Sequence, residues 1–170
     1  HAGKIEHPFY GTNEADCQWV EEKQWVYETL PFLVPAEVMQ KSVVQLRFNG
    51  LDTYATVDLN GTRIMEANNA HRSWEVDVKA LLKSEGNVIR IVFDSPVQRA
   101  KEILSSIAYP IPGDSIRAIV RKPQFHFGWD WGPRLVTSGI TKPIEWIAYD
   151  DARLVDFYFK QTEVNEQQAE

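Results

Sequence analysis

Between Tyr54 and Asn68, Ala55, Val57 and Leu59 alternate with Thr56 and Asp58, Asn60-Gly61 follows, and Thr62–Ala67 returns. An apolar residue at every second position turns one face of a strand to a core and the other to water. Asn-Gly tolerates positive φ at both central positions of a two-residue hairpin, as the type I′ turn requires. This segment therefore commits the chain to antiparallel β structure.

The same period recurs over Ser42–Asn49, where Val44, Leu46 and Phe48 face away from Val43, Gln45, Arg47 and Asn49. Further strands are predicted over Gln24–Leu33, Ser73–Val78, Asn87–Asp94, Ile144–Tyr149 and Leu154–Gln161, each rich in β-branched or aromatic residues. One helix is predicted, over Val97–Ile107. Ser95 caps it, Pro96 occupies its first turn, and Val97, Ala100, Ile103, Leu104 and Ile107 share a face. His1–Glu22, punctuated by Gly3, Pro8, Gly11, Asn13 and Asp16, reads as an irregular segment wrapping the domain. Short strands about ten residues apart with a single helix define an all-β sandwich or jelly roll.

A length of 170 residues suits one domain, and 44% hydrophobic with 25% charged residues is ordinary for a globular chain. The net charge of −6 disfavours nucleic acid, since an acidic surface repels phosphates. Cys17 is the lone cysteine, so neither an internal disulfide nor a cysteine-rich metal site can form, and Cys17 reads as a small packed residue. No His pair has ligand spacing, and neither metal nor cofactor is expected. No apolar run approaches the roughly 20 residues of a membrane span.

The exceptional segment is Arg121–Arg134, with Phe125, Phe127, Trp129 and Trp131 among Gly128, Gly132, Pro123 and Pro133. A core strand does not need so many breakers, and a solvated loop does not need so many aromatics. The C–H face of a pyranose stacks on aromatic rings, and its hydroxyls seek carboxylate acceptors and guanidinium donors. Trp129 and Trp131 can supply ring faces, Asp130 the acceptor, and Arg134 a donor or an ion pair orienting Asp130. Composition alone leaves a structural aromatic knot, with Asp130 capping a turn, as the competing and slightly favoured reading. His126, between two Phe residues, reads as a packed, hydrogen-bonded histidine. Glu21-Glu22 and Asp150-Asp151 are adjacent pairs, and Glu14 braces the N-terminal wrap. None has the setting of a catalytic carboxylate.

Phe125-His126-Phe127-Gly128-Trp129-Asp130-Trp131-Gly132-Pro133-Arg134 closely resembles a motif of the β-mannosidases of glycoside hydrolase family 2. Pro8–Glu14, Trp19 and Glu22–Tyr27 resemble that family's N-terminal segment, and Phe48–Gly61 resembles a sandwich signature found more widely in family 2. The resemblance implies a galactose-binding-like jelly roll, residues 1–161, at the N-terminus of a multidomain exo-enzyme. Residues 162–170 would lead toward an immunoglobulin-like domain, and the sandwich's first strand or strands would precede His1. A (β/α)₈ barrel would hold the two catalytic Glu of a retaining mechanism, leaving no catalytic residue in this chain. The implied partners are a mannoside and those two domains, with neither nucleic acid nor membrane. Trp129, Asp130 and Trp131 would line the subsite for the terminal mannose, with Arg134 a less certain contributor. Two rivals stand beside this expectation: a self-sufficient carbohydrate-binding module, and a purely structural sandwich of another family 2 glycosidase.

Overall fold

A computed structural model describes residues 3–113 and 115–167. Its strands are β1 (Trp25–Glu28), β2 (Val43–Phe48), β3 (Leu51–Asp52), β4 (Tyr54–Leu59), β5 (Thr62–Asn68), β6 (Trp74–Asp77), β7 (Ile89–Phe93), β8 (Phe127–Trp129), β9 (Gly132–Arg134), β10 (Gly139–Ile140) and β11 (Ile144–Tyr149). One sheet runs β1-β7-β4-β5 and the other β11-β2-β6, with every pairing antiparallel. Two small pairs, β10-β3 and β8-β9, complete the fold.

The alternation read from sequence decides which faces meet. Val44, Leu46 and Phe48 of β2, Ala55, Val57 and Leu59 of β4, and Ile89, Ile91 and Phe93 of β7 are buried in one cluster. Phe93 lies opposite Trp25 on one side and Ala55 on the other, so a single ring spans three strands. Phe32 and Trp146 meet at 6.3 Å between ring centroids, while Trp25, Trp74 and Trp146 pack around the cluster's rim.

The hairpin turn forms as expected. Asn60 and Gly61 have φ of 52° and 82°, and Leu59 pairs with Thr62 across them. The Asn60 side chain bonds Leu81 O at 2.8 Å and accepts from Val88 N at 3.0 Å, which locks the turn to the chain entering β7.

The predicted helix is α3 (Pro96–Ser105), with α1 (Asn13–Asp16), α2 (Ala36–Met39) and α4 (Ser115–Ile119) as additional short helices. Among the described residues the one expected helix is thus joined by three others. The three extra helices are a turn or so each, too short for a periodic stripe to show. Ser95 Oγ accepts from Gln98 N at 3.0 Å, as a cap should. α3 ends before Ile107. There the hydroxyls of Ser105 and Ser106 bond back to the carbonyls of Glu102 and Ile103, at 2.6 and 2.7 Å, and compete with helical N–H groups.

Two strand expectations change. Gln24–Leu33 is regular only over β1, and Phe32 makes an isolated bridge to Asn87. Leu154–Gln161 forms no strand; Leu154, Val155, Phe157, Tyr158 and Phe159 are exposed. An alternating pattern specifies a face, but a strand also needs a partner for its backbone groups.

A second, smaller core joins the helices to the segment after them: Val97, Ala100, Val120, Phe127 and Val136, with Tyr54 and Ile116 against it. This cluster is the floor on which the aromatic loop stands.

Phe93→Ala removes the ring shared by three strands and is expected to cost about 3–5 kcal/mol of unfolding free energy, measured by urea denaturation.

Candidate functional site

The aromatic segment is a hairpin. Pro123 starts a 3₁₀ turn, Gln124–His126, which runs into β8; Asp130-Trp131 forms the two-residue tip, and β9 returns. Leu135 N donates to His126 O at 2.9 Å and closes the base. Gly128 has φ of 79°, and a Cβ there would lie 3.1–3.2 Å from Arg134 backbone and side-chain atoms. Its lack of a side chain is what lets the two arms approach.

The base is tied down from two directions. Toward the sandwich, Lys122 is fully buried, and its three ammonium hydrogens meet three acceptors: Asp52 Oδ2 at 2.6 Å, Thr137 O at 2.8 Å and His126 Nδ1 at 2.9 Å. Thr53 Oγ1 donates to the other carboxylate oxygen of Asp52. Burial pushes the Lys122 pKa down, against the opposing pull of Asp52. His126 is also pushed below its usual range, first by burial and then by the Lys122 charge. A neutral imidazole accepting at Nδ1 carries its proton on Nε2.

Toward the N-terminal segment, Arg134 is the attachment point. Its backbone N–H donates to Glu14 Oε1 at 2.5 Å, its carbonyl accepts from Gln18 Nε2 at 2.9 Å, and its guanidinium pairs with Glu21 at 2.9 Å. The same guanidinium lies 5.4 Å over the Phe127 ring. Of the two roles expected of Arg134, a donor or an ion pair orienting Asp130, the ion pair is made instead with Glu21, part of the wrapping segment. Glu14 does brace the wrap. The pair Glu21-Glu22 is structural too, since Glu22 accepts from Gln98 and Lys101 on α3.

The tip is the opposite of the base. Trp129 and Trp131 are 57% and 76% exposed, and their rings meet edge to face at 6.0 Å. Arg117 sits 5.1 Å from the Trp129 ring centroid. Among the described residues the Asp130 carboxylate has no hydrogen-bond or ion-pair partner, so it caps no turn. A polar cleft of about 410 Å³ lies beside it, lined by Phe9, Glu14, Trp129, Asp130 and Trp131 among others. The structure thus brings Trp129, Asp130 and Trp131 together at an open edge and sends Arg134 elsewhere.

Lys122 and Asp52 escaped the sequence reading. The available signal was Asp52 itself, a carboxylate set between Leu51 and the apolar β4 strand, where it needs a cation. Among the described residues no group of three or more His, Cys, Asp or Glu could hold a metal, and no helix is long and apolar enough to cross a membrane.

The fold is an antiparallel β-sandwich that gathers exposed rings and a carboxylate on one end loop. The chain belongs to the family described as "Glycosyl hydrolase 2 galactose-binding domain-like", whose profile matches residues 1–142. It is 42% identical over 164 residues to "Beta-mannosidase B" of Thermothelomyces thermophilus, and 39% identical over 168 residues to "Beta-mannosidase B" of Aspergillus niger. Those alignments cover 93% and 96% of this chain. The crystal structure of the β-D-mannosidase from Dictyoglomus thermophilum superposes with a TM-score of 0.90 at 38% identity, covering 95% of this chain and 20% of that one. The chain spans about a fifth of the length of these relatives, 19% for both curated enzymes.

The lowered His126 pKa has a consequence for stability. In the unfolded chain His126 takes up a proton near its ordinary pKa of about 6.5, whereas the folded site resists protonation. Its contribution is therefore complete above that pH and is lost as pH falls toward the lower folded value. Urea midpoints measured from pH 7 down to pH 5 should decline, and His126→Gln should flatten the decline.

Proposed function

We propose that this chain is the N-terminal, non-catalytic domain of a β-mannosidase that hydrolyses terminal, non-reducing β-D-mannose residues with retention. In this reading the hairpin tip contributes one wall of the mannose subsite. The observation that carries it is the pairing of an unpartnered Asp130 with two exposed indole rings on a firmly anchored base. The mannosidase names of the relatives supply the sugar.

Each tip residue has a chemical task. Trp129 and Trp131 offer apolar faces to the C–H surface of a pyranose. Asp130 accepts hydrogen bonds from two neighbouring hydroxyls, and charge-assisted bonds of this kind are about twice as strong as neutral ones. Asp130 acts by binding and orientation; proton transfer and nucleophilic attack belong to carboxylates outside the chain. Arg134 acts indirectly, by fastening β9 to Glu21.

The rings of the tip are open to solvent, and the cleft beside them is flanked on its other side only by Pro8, Phe9, Gly11 and Glu14 of the N-terminal segment, with Phe9 itself exposed. A sugar displaced from water onto one exposed face recovers too few of its hydrogen bonds to be held. The opposite wall is assigned to the catalytic barrel of the complete enzyme, and this favours a subsite contributor over a self-sufficient binding module.

Asp130→Ala in the full-length enzyme is expected to lower kcat/KM for β-mannosides by on the order of 10²-fold or more, as for loss of a contact that strengthens in the transition state. An unchanged value would remove Asp130 from the subsite. Calorimetry of the isolated chain with mannose and manno-oligosaccharides should show no binding; measurable affinity would favour the module instead.

A further inference from the structure

We propose that Asp52, Lys122 and His126 form a positioning device for the Trp129–Asp130–Trp131 tip, so that Lys122 governs how well Asp130 meets the substrate without touching it. The proposal rests on the subsite reading above and adds to it the residues that set the subsite's geometry.

His126 is the last residue before β8, and Thr137 lies three residues after β9. Lys122 bonds both, so one ammonium grips the entering and the leaving arm of the hairpin. Its third bond is to Asp52, in β3, which pairs with Gly139 of β10 just beyond Thr137. The hairpin is thereby referenced to the sandwich rather than to its own flanking loops.

Burial supplies the stiffness. Lys122 and Asp52 side chains are 0% and 2% exposed, so water cannot replace a lost acceptor. Any displacement of either arm leaves an ammonium hydrogen or a carbonyl unpaired, which costs far more than bending an exposed turn. The tip has no comparable buried restraint: among the described residues Asp130 has no hydrogen-bond or ion-pair partner, and the exposed Trp129 and Trp131 rings meet each other's edges, with the Arg117 guanidinium over Trp129. A tip without buried polar anchors of its own takes its position chiefly from its base. A binding carboxylate displaced by about 1 Å can lose on the order of 10²-fold in rate, so a base held at this tolerance matters to a substrate contact.

A buried ion pair replaced as a unit by apolar residues is often tolerated, whereas removal of one partner is not. The test uses the full-length enzyme with the pair of substitutions Lys122→Met and Asp52→Leu, alone and combined with Asp130→Ala. Melting temperature reports folding, and kcat and KM for a β-mannoside report function. The paired variant is expected to remain folded and to lose about tenfold or more in kcat/KM, with Asp130→Ala costing much less in its background than in the wild type, since coupled sites are non-additive. Purely structural damage would instead lower activity by a factor independent of Asp130. An identical Asp130→Ala factor in both backgrounds, or no loss in the folded paired variant, overturns the proposal. Should that variant not fold, Lys122→Arg serves in the same cycle: it keeps the charge but cannot reach three acceptors with ammonium geometry, and is expected to show the same reduced Asp130→Ala effect. If Asp130→Ala is silent in the wild type, the subsite reading itself fails, and that arm identifies the failure separately.

Discussion

A lysine ammonium removed from water must find an acceptor for each of its hydrogens, and in this domain that requirement fixes where several distant segments lie. Lys122 draws together β3, the 3₁₀ turn before β8 and the chain leaving β9, through contacts of 2.6–2.9 Å. Such a buried pair is poor evidence for net stability, because desolvation opposes the attraction. Its consequence is specificity of arrangement: few alternative placements of the hairpin give the Lys122 ammonium three acceptors. The neutral state of His126 belongs to the same arrangement, since a protonated ring could not accept from the ammonium.

The hairpin consequently divides into a base that is over-determined and a tip that is under-determined. The base carries the Lys122 cluster on one side and Glu14, Gln18 and Glu21 on the other, with Phe127 packed into the smaller core between them. The tip carries exposed rings and a carboxylate that has no partner among the described residues. At the base the charges of Lys122 and Arg134 are paired inside the fold, and the groups left over at the tip are those suited to an external ligand.

Period and turn chemistry were enough to read the sandwich. Val44, Leu46 and Phe48, or Ala55, Val57 and Leu59, announce a buried face, and Asn60-Gly61 announces the turn that joins its strands. The composition of Arg121–Arg134 marked the loop, and Trp129, Asp130 and Trp131 do stand together at its tip. The partner of Arg134 could not be read, because Glu21 is more than a hundred positions away and nothing local ranks it above Asp130. Lys122 and Asp52 were hidden for a related reason. A charged residue in a single sequence looks like surface, and only the fold shows two opposite charges meeting in the interior. Leu154–Phe159 makes the converse case: its pattern is strand-like, yet hydrogen-bonding partners decide whether a strand exists.

The separation of tip from base also bears on why the proposed substrate contact would sit on a loop of a sandwich. A loop that shapes a pocket must keep its contacts fixed while its own end stays free of the protein's hydrogen-bonding demands. A sandwich core provides a rigid reference at one end, here through Asp52 of β3. A two-residue tip offers little backbone that needs satisfying. The glycine at position 128 lets the arms close tightly enough for both to reach the same lysine. Rigidity at the base and unspent polar capacity at the tip are therefore two products of one local fold, and a change that loosened the first would degrade the second even with Trp129, Asp130 and Trp131 left intact.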